Sequence, residues 1–463
     1  MVRRYSENSG ARPALALLGP TASYASSGVN PPPGRLVSGS FFLLVLLVSS
    51  ADLKRLTSER IHWVALAAFL VVALPMLARA RWRIHGPLVI FASMILCAVV
   101  ASGWGRPLYA CLEAAKLALI LVLFTLLLIN HPQLPHTGFF ALEIATWLNL
   151  LCLASIAVYP GLLASMMAPG RWGTILNAPG SLWRPGAATL VCAAYRIIGA
   201  PRLPLRGLLS CGASIVLIYA DGSRTAMILL AATLPVLLVI AFRELRQRAQ
   251  MVRIACVVLA ACAGAAGVFD ARQRILSGRS SSDAVIRVQP IWDELANRQS
   301  DGLAGLDLSR SEMLDTVLGK LRENPIWGSG IGGARVQTPG GGIVVHMTYL
   351  QVWSDLGVLG LLGHLGFTFF WVPGLPRFLR RIRTLARVED RALYTNAMFV
   401  LAIFCASAFF HPLSTELPEW LPFSMAAALF IHLASAPVVS VHAEAVPRAR
   451  GGESPAEPPA LPA

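Results

Sequence analysis

Charged residues are scarce in this sequence, and the common soluble-enzyme signatures are missing with them. Asp, Glu, Lys and Arg make up 14% of 463 residues against 56% hydrophobic, and mean hydropathy is +0.62. That balance excludes an ordinary soluble globule. There is no GxxxxGK[ST] phosphate loop, no HExxH zinc pair and no DxD metal-nucleotide motif, which argues against ATP and nucleotide-sugar substrates. The eight cysteines (Cys97, Cys111, Cys152, Cys192, Cys211, Cys256, Cys262 and Cys405) include no CxxC pair and fall inside apolar stretches, so they read as packed small apolar residues. No segment recurs at a fixed period.

What is abundant is apolar sequence of membrane-crossing length. A helix needs roughly 17 to 25 apolar residues to cross a hydrocarbon core of about 30 Å. Twelve stretches are candidates: 36–51, 61–78, 87–103, 110–130, 138–159, 186–200, 205–220, 224–242, 251–270, 347–373, 392–410 and 419–437. The first, sixth and seventh are short, which tilt or burial in a bundle accommodates. The fold class is therefore an all-α polytopic integral membrane protein of about twelve transmembrane helices.

The net charge of +15 raises nucleic-acid binding, but its distribution answers for it. "RARWRIHG" (79–86), "PRLPLR" (201–206), "RELRQRAQMVR" (243–253) and "PRFLRRIRTLARVEDR" (376–391) all fall on one side of a twelve-helix count. Short loops rich in Lys and Arg stay in the cytoplasm. Both termini are then inside, and 104–109, 160–185, 221–224, 271–345 and 411–418 are outside. The loop 131–137 is neutral on the question, and 52–60 places a few basic residues outside. No basic face is left over for nucleic acid. The expected divisions are a disordered cytoplasmic N-terminus (1–35), helices one to nine (36–270), a large outer loop (271–345), helices ten to twelve (346–437) and a disordered cytoplasmic tail (438–463). "FFLLVLLVSSA" resembles a signal-peptide core, although some 40 residues precede it.

A connection as long as 271–345 usually carries function. Within it, "DLSRSEMLDTVLGKLRENPIWGSGIGG" (307–333) predicts a helix. Ser309 and Glu312 form a capping box, which puts Arg310 at the first helical position. Met313, Leu314, Val317, Leu318 and Leu321 make an amphipathic stripe, and Asn324-Pro325 stops it before a glycine-rich turn. In "ADGSRTAMILL" (220–230), Ser223 is a plausible cap and Arg224 again takes the first helical position. A cation is disfavoured at the positive end of a helix dipole unless an anion offsets it, and free amides with a guanidinium fork make a phosphate site. The bland alternatives are an Arg224 that snorkels to headgroups and an Arg310 in solvent.

"SRTA", "SRSEM…ENPIWGSGIGG" and "HMTYLQVWSDLGVLGLLG", in this order and with this many helices, resemble the O-antigen ligase and polymerase superfamily. The motifs cover roughly 190 to 370, and the helix count covers nearly the whole chain. The resemblance implies a glycosyltransferase of the bacterial inner membrane that moves a glycan from undecaprenyl diphosphate to an acceptor hydroxyl at the periplasmic face. The acceptor would be lipid A-core or a growing polysaccharide. Arg224 and Arg310 would hold the diphosphate, and His346 would serve the acceptor. The family's histidine is usually followed by Asn; here Met347 follows. No cofactor and no metal are implied.

The remaining polar groups read as structural. Asp355, nine residues after His346 on one continuous helix, would lie about 13 Å deeper and brace the bundle. Glu113 and Lys116 pair at i and i+3. Arg279 and Arg287 are possible additions to the anion site, with a solvated loop as the default. "MMAPGRWGTILNAPGSLWRPG" (166–186) belongs at the outer interface, where it would shape a lipid or glycan cleft. The competing class is a polytopic transporter of a small solute, with Asp355, Glu113 and Lys116 along its path.

Overall fold

The computed structural model describes residues 30, 32–53, 57–58, 60–80, 82–158, 172–199, 204–222, 226, 308–333, 335–338, 341–344, 347–409 and 416–435. They are almost entirely helical: α1 (Arg35–Ser49), α2 (Ile61–Arg79), α3 (Gly86–Ser102), α4 (Pro107–Asn130), α5 (Gln133–Val158), α6 (Trp183–Gly199), α7 (Leu205–Asp221), α8 (Leu308–Glu323), α9 (Thr348–Phe369), α10 (Leu375–Thr384), α11 (Val388–Ser407) and α12 (Leu417–Ser435). Ten of the twelve expected spans fall on these helices. Apart from Ala226, the other two, 224–242 and 251–270, lie outside the described residues. Five helices are long and apolar enough to cross a membrane, and α1 and α3 are shorter apolar helices. Exposed Val64, Val71, Leu74, Ile90 and Leu112 on α2 to α4 are an outer surface made for lipid.

Aromatic packing and small residues hold the bundle. Phe41 of α1 meets Phe69 of α2 at 5.3 Å and Phe124 of α4 at 6.2 Å, and Phe404 meets Phe423 at 4.5 Å between α11 and α12. The stretch resembling a signal-peptide core is thus a working part of the core, with Phe41, Val45 and Val48 fully buried. α6 and α7 approach closely because Gly186 faces the Ser214 backbone; a Cβ there would lie 3.0 Å from the Ser214 carbonyl oxygen. In α4 a π-helical stretch, Ala118–Phe124, comes where the Thr125 hydroxyl bonds the Ile120 carbonyl at 3.0 Å and faces the Ser424 hydroxyl at 3.1 Å. Glu113 and Lys116 pair at 2.8 Å as expected.

Hydrogen bonds sort the helix ends into two sets. At one end, Asp52 beyond α1 accepts from the Ala178 N–H (2.6 Å) and the Ser181 hydroxyl (2.8 Å). The Asn177 amide donates to the Ser49 carbonyl (3.0 Å), the Thr174 hydroxyl donates to Asn149 Oδ1 (2.8 Å), and Arg184 pairs with Glu419 (3.0 Å). The part of 166–186 that is described is therefore stitched into the bundle, with Trp183 and Arg184 left facing a cavity. At the opposite end, the Arg83 N–H donates to Asn130 Oδ1 (2.7 Å), and Glu143 of α5 is gripped by Arg196 of α6 (3.0 Å) and Arg206 of α7 (2.6 Å). Arg196 also reaches Glu389 of α11 at 2.6 Å.

Four expectations need correction. The basic stretch 376–391 is not simply a loop, because it holds α10. α8 begins at Leu308, so Ser309 is inside the helix and Arg310 is its third residue. Of the cysteines, Cys192, Cys211 and Cys405 are buried, whereas Cys97 and Cys111 are exposed on the bundle's outside. A small antiparallel hairpin, β1 (Arg335–Thr338) with β2 (Gly341–Val344), was not anticipated.

The largest departure is in α9, expected to be one helix running inward from His346. Gly357 breaks it with φ 67° and ψ −169°. Tyr349 lies 5.7 Å from His364 and 6.1 Å from Phe369, ring to ring, although about 22 and 30 Å of straight helix would separate those positions. Cys405 bridges both arms: its carbonyl accepts from the Tyr349 hydroxyl at 2.9 Å, and its thiol contacts the Thr368 carbonyl at 3.3 Å. The element is a helical hairpin with its turn at Gly357. Thr348–Thr384 has the length and hydropathy of one long span, but it reverses at Gly357, and the arm after it runs along α3, with Gly363 against Met94 and Gly366 against Phe91.

Candidate functional site

Arg224, His346, Arg279 and Arg287 lie outside the described residues, and Arg310 is described only as a position in α8. The chain on either side of them is well placed. α7 ends on Asp221, a fully buried carboxylate that accepts from the Gly180 N–H at 2.8 Å and the Trp183 N–H at 3.3 Å. Gly222 follows in the left-handed conformation (φ 65°), with its N–H on the Tyr219 carbonyl. Ala226, two residues past Arg224, is buried in a cluster with Trp183, Ala187 and Ile218, against which Ile403 and Ala406 of α11 pack.

The chain after His346 is anchored at the same place. Met347 is extended (φ −150°, ψ 101°), the Thr348 N–H donates to the Ala408 carbonyl at 2.8 Å, and the Tyr349 ring lies tilted against Phe409 at 4.7 Å. Positions 226 and 348, each two residues from a candidate, are thus both fixed at the 403–409 end of α11.

The third candidate is tied in through the glycine loop. α8 buries Val317 and Leu321, as the stripe predicted, and leaves Leu318 half exposed. Asn324-Pro325 ends it, and residues 326–332 then knit onto the α9 turn. Backbone N–H groups of Ser329, Gly330 and Gly332 donate to the Ser354 carbonyl (2.9 Å), the Asp355 carbonyl (2.8 Å) and Asp355 Oδ2 (2.9 Å). The Gln351 amide adds a bond to Asp355 Oδ2 at 3.1 Å, and the Val358 N–H closes on the Ile326 carbonyl at 3.2 Å. Asp355 is a brace, as expected, but it stands beside the α9 turn and not deeper along a single helix. The two motifs "ENPIWGSGIGG" and "YLQVWSDLG" are two sides of one seam. Sequence reasoning missed Gln351 and Tyr349; the glycine after Asp355 inside a helical run was the available signal.

Between α6, α11 and α12 at this end lies a cavity of about 100 Å³ lined by Trp183, Ala187, Ile403, Phe404, Ser407 and Phe423, with the Arg184–Glu419 pair at its edge. Its wall is apolar with a single ion pair, which suits a hydrocarbon chain attached to a charged head. A slightly larger cavity, about 130 Å³, sits at the opposite end beside Glu143, Arg196, Glu389 and Asp390. No sequence candidate lines it, and Arg196 is engaged there with Glu143 and Glu389; burial pushes the Asp390 carboxyl up. Among the described residues no group of three or more His, Cys, Asp or Glu is placed to hold a metal.

No curated protein matches the chain. Residues 209–365, the stretch containing Arg224, Arg310, His346 and the whole glycine seam, match the family model described as O-antigen ligase, which places this part of the chain in the O-antigen ligase superfamily.

Proposed function

We propose that this membrane protein is a glycosyltransferase that moves a glycan from undecaprenyl diphosphate to an acceptor hydroxyl at the periplasmic face. The acceptor oxygen attacks the anomeric carbon, the bond from that carbon to the diphosphate oxygen breaks, and the hydroxyl proton passes to His346. Arg224 and Arg310 hold the diphosphate, whose negative charge grows as it leaves. A guanidinium fork matches two phosphate oxygens at once, and a positioned base contributes typically 10² to 10⁴-fold. A neutral imidazole has a ring nitrogen lone pair to take that proton. The chemistry assigns charge stabilisation to arginines and proton transfer to histidine, with no metal or cofactor. The outer loop 271–345 and twelve helices in all complete the proposed topology.

The reading is carried by the family match across 209–365, which contains all three residues. The shared anchorage of positions 226 and 348 on one end of α11 supports it. A transporter reading draws no support: Lys116 is closed on Glu113, and Asp355 is taken up by the glycine loop. Ligase and polymerase use the same donor and differ in acceptor. The test is the glycan profile of a deletion strain. Lipopolysaccharide without its glycan cap identifies a ligase onto lipid A-core, single repeat units identify a polymerase, and an unchanged profile for every surface glycan removes the proposal.

A further inference from the structure

We infer that α10 is an anionic-lipid clamp: a basic strap across the bundle end remote from the glycine seam that binds phospholipid phosphates of the bordering leaflet. α10 lies against the ends of α11 and α12 by one apolar edge. Phe378 is fully buried and stacks on Phe430 at 4.4 Å and against Tyr394 at 6.3 Å. Ile382, one turn on, is also buried, and Arg381 donates a hydrogen bond to the Leu433 carbonyl in the last turn of α12. These contacts fix the rotation of the helix. The opposite edge carries Arg377, Arg380 and Arg383, all exposed, at the three-residue spacing that makes them neighbours on a helix.

The balance of charge on that edge is what calls for a ligand. α10 contains no acidic residue, and among the described residues no ion pair engages Arg377, Arg380 or Arg383. Like charges one turn apart repel, so three cations stand together with no paired acid among the described residues. Two other arginines at this end differ: Arg196 and Arg206 are spent on Glu143. The neighbouring surface identifies the medium. His85 meets Phe370 at 5.9 Å, which brings the α2–α3 connection to the start of the strap, and Trp82, Ile84 and Val372 are exposed there at 40%, 70% and 45%. Exposed Trp and aliphatic side chains beside a row of arginines suit the headgroup boundary of a bilayer, with the apolar groups in acyl chains and the guanidinium forks on phosphates. Nucleic acid would meet the arginines and leave that apolar surface in water.

The test uses the full-length protein in a neutral detergent, titrated with dioleoylphosphatidylglycerol, dioleoylphosphatidylcholine, inorganic phosphate or a short DNA duplex, with thermal unfolding as readout. Phosphatidylglycerol should raise the midpoint by several degrees at low salt and less at high salt, and the other three should not. Each basic residue near an anionic surface is worth about a fivefold change in affinity, so R377Q/R380Q/R383Q should weaken the phosphatidylglycerol response on the order of a hundredfold. Should that variant fail to fold, native mass spectrometry of the unaltered protein decides: phosphatidylglycerol adducts should survive activation that strips phosphatidylcholine. Equal retention of both lipids, an undiminished response in the triple variant, or an equal shift with phosphate or DNA overturns the inference.

Discussion

Asp355 shows how much one buried carboxylate can organise. Fully buried in the bundle, it accepts from the Gly332 N–H and from Gln351 at once, and so joins the loop that follows α8 to the arm that follows His346. Asp355→Ala takes the acceptor from the part-buried Gly332 N–H and from the buried Gln351 amide, the latter at about 1–3 kcal/mol. Glycan transfer per folded molecule should fall with it, whereas Asp355→Asn keeps one acceptor oxygen and should lose less. Unfolding and transfer measured side by side decide this, and an alanine variant equal to wild type in both would deny the seam any role. The three candidate residues give a sharper test. Arg224→Lys and Arg310→Lys retain charge but lose the fork, so donor binding and transfer should both drop sharply. His346→Ala should abolish transfer with donor binding nearly intact, and His346→Gln should keep a trace. Loss of donor binding in His346→Ala, with both lysine variants still active, would reverse the assigned roles.

At the scale of elements, α9 marks where the sequence stops being legible. Mean hydropathy located ten helices within a few residues of their observed bounds, because the long apolar run a bilayer requires is a property of local composition. Reversal within such a run leaves hydropathy unchanged, so 347–373 read as one helix. What turns it is Gly357, at φ 67°, where a side chain would overlap the Ile326 carbonyl and the Trp327 backbone. The long-range bonds of Asp52, Asn149, Asn177 and Asp221 were equally invisible, since each joins segments that only the fold brings together. The Val317 and Leu321 stripe of α8, the Asn324-Pro325 stop and the Glu113–Lys116 pair were legible because each is decided within a turn or two of helix, whereas the cap was misplaced by the earlier start at Leu308. Gly357→Ala should cost at least about 1–3 kcal/mol in backbone strain alone, seen as a lower unfolding midpoint. Spin labels at Thr348 and Phe369 should report a separation well short of the roughly 31 Å of an unbroken helix; a distance near that value would refute the hairpin.

At the scale of the whole molecule, every site assignment depends on which end of the bundle faces the periplasm. The two sets of helix ends are chemically unlike. One carries Asp52, Asp221 and the glycine seam, held by backbone N–H groups; the other carries Arg196, Arg206 and the arginines of α10. Basic residues in short connections are retained on the cytoplasmic side, so the glycine seam, α8 and the approach to His346 should lie outside, where a lipid-linked donor presents its glycan. Cysteine placed at Ser300 should be labelled in intact cells by an impermeant thiol reagent, and cysteine at Thr384 should be labelled only after the membrane is opened. The host chain must first lose its eight native cysteines, so that the introduced thiol alone is read. Reversed labelling would put the arginine strap outside and the candidate residues in the cytoplasm, where histidine and arginines around a diphosphate would need a different substrate altogether.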